Sequence, residues 1–194
     1  MLLFPLAEAA APEAVLRPGD VVFQRSTSAQ AEAIAHATHS ELTHVGVVLD
    51  HDGALAVLEA VQPVKWTDPA AWVARGVPGS VLVRRLADPA PLVAPGASAA
   101  LARVAAGFLG RNYDLAFSWS DDRLYCSELV HKLFARALGV DLSPLRTLRE
   151  FDLLDPVVAP ALAARYGKHV PFDEPVVAPS DLAASVLLTP VSPE

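Results

Sequence analysis

The chain has one cysteine, Cys126, standing directly ahead of Leu129, Val130, Leu133, Phe134, Ala137 and Leu138. Their three- and four-residue spacing predicts an amphipathic helix over Cys126–Leu138, ended by Gly139. A free thiol has a pKa of about 8.5 and is mostly protonated at neutral pH. The dipole of a helix N-terminus favours the thiolate by roughly 0.3–1 kcal/mol, less than one pKa unit. A nucleophilic Cys126 therefore needs a histidine partner. The same helix end offers unpaired N–H groups able to stabilise an oxyanion. Most lone cysteines are small buried hydrophobes, so the base decides the matter.

Six histidines compete for that role. His36 and His39 fall at the end of the first predicted helix, His51 in a turn, His131 on the polar face of the cysteine helix and His169 in a proline-rich tail. Only His44 sits inside an apolar strand, Leu42-Thr43-His44-Val45-Gly46-Val47-Val48-Leu49. Gly46 leaves room beside it on the same face. Asp50-His51-Asp52-Gly53 is a hairpin turn, with the return strand over Leu55–Val61. A His51-Asp52 loop sets Glu59 opposite His44; an Asp52-Gly53 loop sets it opposite Gly46, diagonal to His44. Both registers keep His44 and Glu59 on one face, since side chains alternate with period two. A carboxylate on one imidazole nitrogen leaves the other for the thiol, the logic of a catalytic triad. Three histidines, His36, His39 and His44, fall on two elements with a turn between, so no metal site is expected, and no cofactor motif appears.

The elements around these residues are legible in outline. Residues 1–16 are a lead-in; Val21-Val22-Phe23-Gln24 is a short buried strand. Thr27 and Gln30 fit a capping box opening a helix to about Ala37. A helix is expected over Trp66–Arg75, a strand over Ser80–Leu86, a linker-like loop at 88–96 and a helix over Ala97–Leu109. A short helix near Ala159–Tyr166 precedes a proline-broken tail. Strands early and helices late predict an α+β class in one domain, 1–194. With 15 basic and 22 acidic residues the net charge is −7, which disfavours nucleic acid as a partner. No apolar run is long enough to cross a membrane, and Met1–Leu6 is too short for a signal core. A cytoplasmic location is the expectation, with the periplasm or cell envelope open if a leader precedes this sequence.

Several stretches together resemble one family. They are Pro18-Gly19-Asp20-Val21-Val22-Phe23-Gln24, the His44 strand, Leu58-Glu59-Ala60, Tyr113-Asp114, Tyr125-Cys126-Ser127-Glu128-Leu129-Val130 and Pro179-Ser180-Asp181-Leu182. In this order they are similar to the YiiX-like permuted papain-like amidases, relatives of the NlpC-type cell-wall peptidases. Thr43 stands where that pattern has Ser. The resemblance implies a circularly permuted papain-like fold, with a small antiparallel sheet or half-barrel against the nucleophile helix and histidine and acid preceding cysteine. It implies a catalytic set of Cys126, His44 and Glu59, and an amide or small-peptide substrate. Gln24, Tyr125 and Trp119 are the expected substrate-binding residues. The same superfamily holds acyltransferases of the lecithin–retinol type, so a lipid acyltransferase or lipase remains the alternative, and an inactive binding module a third.

Overall fold

The structure, a computed structural model, describes residues 16–191; the lead-in expected at 1–16 lies outside them except for Leu16. In chain order the elements are β1 (Val21–Gln24), α1 (Ala31–Thr38), β2 (His44–His51), β3 (Ala54–Glu59), β4 (Lys65–Thr67), α2 (Pro69–Arg75), β5 (Leu82–Leu86), α3 (Ala90–Val93), α4 (Ala97–Phe108), β6 (Asn112–Tyr113), β7 (Arg123–Leu124), α5 (Cys126–Leu138), β8 (Arg146–Thr147), α6 (Val158–Tyr166), β9 (Pro175–Val176), α7 (Pro179–Ala183) and β10 (Leu188–Pro190). Six strands form one antiparallel sheet in the order β10-β5-β1-β2-β3-β4. The α+β class read from the sequence is the class observed.

Alternation along the strands divides the sheet into two faces. Val21, Phe23, Val45, Val47, Leu49 and Leu58 point to one, where they join Leu101, Ala105, Leu129, Val130 and Leu133 of α4 and α5 in the main core. Val22, Val48 and Val57 point to the other, beneath Trp72 of α2. The core draws on residues from Val21 to Leu188, so the closing segment is part of the same packing.

The β2–β3 turn settles the hairpin register. Asp52 and Gly53 both have positive φ, 51° and 84°, the conformation a two-residue turn of this twist requires. His51 then pairs with Ala54 and Val47 with Leu58. Carried one residue further, this register puts Glu59 opposite Gly46, diagonal to His44.

Several expectations need correction. The helix anticipated over Trp66–Arg75 is a three-residue strand followed by α2, whose start is fixed by Pro69 and by Asp68 Oδ1 accepting the Ala71 N–H at 3.0 Å. The expected Thr27–Gln30 capping box does not form: α1 begins at Ala31, and Gln30 makes no side-chain cap. The linker-like 88–96 stretch contains α3, with Leu92 packed where a side chain on Gly19 would have to go. The proline-broken tail supplies β9, α7 and the edge strand β10, where Pro190 needs no ladder donor. His131, expected on a polar helix face, is buried because the 111–125 loop covers it. Among the described residues no helix is long and apolar enough to cross a membrane.

Candidate active site

Cys126 opens α5 in the structure, as the spacing of its apolar face predicts, and is 3% exposed. Three contacts fix this helix start: Glu128 Oε2 accepts the Tyr125 N–H at 3.3 Å, Ser127 Oγ donates to the Val177 carbonyl at 2.7 Å, and Lys132 Nζ meets Glu128 Oε1 at 2.7 Å. Burial raises the Glu128 carboxyl to about 7 against the pull of Lys132.

His44 is the first residue of β2, at the point where that strand meets the start of α5. Its side chain lies beside the Cys126 thiol, and each favours the other's charged form; the backbone N–H groups of Val45 and Ser127 also favour the thiolate. His44 Nε2 lies 2.7 Å from Glu59 Oε2, which leaves Nδ1 as the nitrogen for the thiol. Trp72 stacks on the imidazole with ring centroids 6.0 Å apart. Gly46 makes that possible: a Cβ there would sit 3.5 Å from Trp72 Nε1, 3.1 Å from the Leu58 carbonyl and closer still to Val57.

Glu59 is fully buried and has three donors. Besides His44, Thr67 Oγ1 donates to Oε1 at 2.6 Å and Arg75 donates to Oε2 at 2.5 Å. Burial would raise its pKa; the hydrogen bond and charge of His44, with Arg75 and Thr67, hold it instead at about 2. Burial would likewise lower His44, but hydrogen bonds and charges from Cys126 and Glu59 lift it to about 9. Burial would raise the Cys126 thiol, and the bond to His44, its positive charge and the two backbone amides lower it. The arrangement favours a thiolate–imidazolium pair over a neutral one.

Beside the sulfur opens a cleft between α1, α6 and the start of α5, with Cys126 on its wall and His44 off it. Its walls are mostly apolar, with Ile34, Phe151, Val158 and Leu162 among them, and Arg165 is the charged side chain on its lining. Tyr113 and Gln30 both line the cleft with Cys126; burial and the charge on Cys126 push the Tyr113 hydroxyl well above its ordinary pKa.

The six residues singled out from the sequence divide into two groups. Cys126, His44 and Glu59 come together, and Tyr125 lines the cleft beside Cys126 while its hydroxyl accepts the Val177 N–H at 3.3 Å. Gln24 does not line the cleft: it stands across from His44 in the β1–β2 register, 1% exposed, with Oε1 against Gly76. Trp119 does not line it either. Its ring lies beneath Lys132 Nζ at 4.7 Å and edge-on to His131, further along α5. Thr67, Arg75 and the Tyr113–Gln30 pair were not foreseen. Arg75, the lone charge at the end of α2, gave no sign that it folds back, and Gln30 carried a misleading capping signal.

A family described as the permuted papain-like amidase enzymes YaeF/YiiX, the C92 family, matches residues 15–192. The chain belongs to this family. As a member of a permuted papain-like amidase family it is a cysteine hydrolase. The chain is 42% identical over 176 residues to the uncharacterized protein YiiX of Escherichia coli K12, covering 91% of this chain and 86% of that protein. It superimposes with a TM-score of 0.85, at 41% identity, on a crystal structure of YiiX from Escherichia coli O157:H7, described there as a metalloprotein, covering 93% of this chain and 98% of the other.

Proposed function

We propose that the protein hydrolyses an amide bond through a thioester on Cys126, with His44 as general base and acid and Glu59 as the group that orients it. The observation that carries this reading is the buried alignment of Cys126, His44 and Glu59, with His44 Nε2 2.7 Å from Glu59 Oε2 and Cys126 and His44 each favouring the other's charged form. The thiolate attacks the carbonyl carbon and the carbonyl oxygen becomes an oxyanion, near the unpaired N–H groups of the α5 first turn. His44 passes its proton to the amine nitrogen as the C–N bond breaks. Water then gives a proton to His44 and attacks the thioester, which releases the acid and restores the thiol. Glu59 keeps one imidazole orientation throughout and stabilises the imidazolium without itself taking the proton.

The substrate is a small peptide or an amide conjugate. Among the described residues, no three His, Cys, Asp or Glu side chains gather as metal ligands. The metal attributed to the E. coli protein therefore has no fitting ligand set among the described residues of this chain.

The test offers the protein defined amides, esters and diacyl phospholipids side by side and follows the Cys126 peptide by mass spectrometry. Amide turnover with an acyl adduct on Cys126, absent in Cys126→Ala, is the expected result. Adducts from the phospholipid alone, with every amide untouched, would move the protein to the acyltransferase reading.

A further inference from the structure

We infer that Arg75 is a positioning residue for the reaction: by sharing Glu59 Oε2 with His44 it loosens the carboxylate's hold on the imidazolium, so that His44 can give its proton to the departing amine. The inference rests on the hydrolase reading of Cys126 and adds to it the group that sets the strength of the base.

Arg75 is not a loose surface charge. It closes α2 three residues after Trp72, a spacing that puts both side chains on one helical face. Trp72 stacks on the His44 ring and Arg75 reaches Glu59. The backbone around it is tied to the segment that follows β1. Thr27 Oγ1 donates to the Arg75 carbonyl at 3.4 Å, Gly76 bridges to Ser26, and the Val77 N–H donates to the Arg25 carbonyl at 2.9 Å. The helix end therefore presents Arg75 to the buried acid from a fixed place.

What Arg75 does there follows from the oxygen it takes. Thr67 holds Oε1, whereas the guanidinium and His44 Nε2 meet on Oε2, at 2.5 and 2.7 Å. A second positive charge on that oxygen offsets part of the field with which Glu59 stabilises the imidazolium. His44 must keep its proton while the thiolate attacks and surrender it as the C–N bond breaks, so an acid that holds it too tightly costs rate. The other groups around the pair do not supply this balance. Cys126 faces His44 from α5 with Tyr113 beside it, and an anionic sulfur strengthens the imidazolium. Gln24, opposite His44 on β1, is neutral. Lys65, opposite Glu59 on β4, is exposed, and the ion pairs of Glu59 are to His44 and Arg75.

The experiment follows the histidine ring resonances of the whole chain by NMR against pH, with His44 identified by the signal lost in His44→Ala. The native midpoint should lie at about 9. Arg75→Met removes a cation beside the imidazolium, so the midpoint should rise. The rise should be about half to one pH unit, since the Arg75 side chain is 39% exposed and partly screened. Glu59→Gln removes an anion and should move it the opposite way. Arg75→Lys keeps the charge and should hold the midpoint at its native place. With an amide that the native protein cleaves, Arg75→Met should lower kcat at unchanged KM, because Arg75 does not line the cleft beside Cys126. If Arg75→Met fails to fold, Arg75→Gln takes its place. A midpoint that stays or falls in the uncharged variant, with the amide still cleaved, overturns the inference and leaves the hydrolase reading intact. A rise of the same size in Arg75→Lys overturns it as well, since the charge is then not the agent. A raised midpoint with no amide cleaved by the native protein keeps Arg75 as the group that sets the His44–Glu59 pair and removes the hydrolase reading instead.

Discussion

The two sides of Cys126 are built from different material. On the sheet side, Glu59 is held at 2.5–2.7 Å by His44, Thr67 and Arg75, and the indole of Trp72 stacks on His44. On the helix side the cleft has mostly apolar walls. A strand register fixes side-chain direction through the backbone ladder, which suits groups that must stay within a few tenths of an ångström of one geometry. Facing helices are separated by side-chain volume, so exchanging small residues for large ones retunes the space without moving the ladder. The proposed function divides labour between them, with the base and its acid set by the sheet and the space beside Cys126 set by the helices, and substitutions on each side should expose that division.

The largest effect belongs to the pair at the boundary. Cys126→Ala should reduce hydrolysis to background, and His44→Ala should lower kcat by on the order of 10⁴-fold, as when either member of a nucleophile–base pair is removed. Iodoacetamide alkylation of Cys126 against pH supplies an independent reading. In the native protein its midpoint should lie below the ordinary thiol value of about 8.5, and in His44→Ala it should move up. A midpoint at or above that value, unchanged by His44→Ala, would break the comparison at its centre.

Glu59→Gln comes next, with turnover expected to fall about a hundredfold while the fold persists. The pH profile carries more information than the rate. The active thiolate–imidazolium pair requires His44 to hold its proton, so activity should be lost as pH rises through about 9. Glu59 is one of the anions that raise His44; removing its charge must move that alkaline limb to lower pH. A limb that stays in place would mean that Glu59 supports the fold and does not tune the base.

How much of this was legible in the sequence follows from the range over which each signal acts. The α5 boundaries were readable because its apolar spacing and Gly139 act within one element. The shared face of His44 and Glu59 was readable because parity survives a register shift of two. The register itself waited on whether Asp52-Gly53 or His51-Asp52 made the turn. Thr67 was hidden because a three-residue strand has no period to detect, and its neighbours read as a helix. The cleft was hidden for a different reason: its walls come from segments as far apart as Gln30 and Pro179, and no local pattern joins them. Trp119 illustrates the converse, since an aromatic ahead of the nucleophile says nothing about which way its ring turns.

The smallest predicted effect is the sharpest test of how tightly the sheet side is held. Thr67→Val keeps the side-chain shape and removes the hydroxyl that donates to Glu59 Oε1 at 2.6 Å. A hydrogen bond to a charged group contributes about 1.5–3 kcal/mol, and its loss here leaves one carboxylate oxygen buried without a donor. Oε2 keeps both His44 and Arg75, so the acid still orients the base, and kcat should fall less than tenfold. Stability should show more. Glu59 has a folded pKa of about 2 against an ordinary value of 4.5. Its contribution is therefore complete above the unfolded value and is lost as pH falls from there toward about 2. Removing one of the donors that depress the folded value brings the two pKa values closer, so the variant should lose less stability between about pH 6 and 3 than the native protein does. Thermal melts of both proteins across that range measure the difference directly. Parallel curves, displaced by a constant amount, would mean that Thr67 acts on packing alone and that His44 and Arg75 suffice to hold the carboxylate.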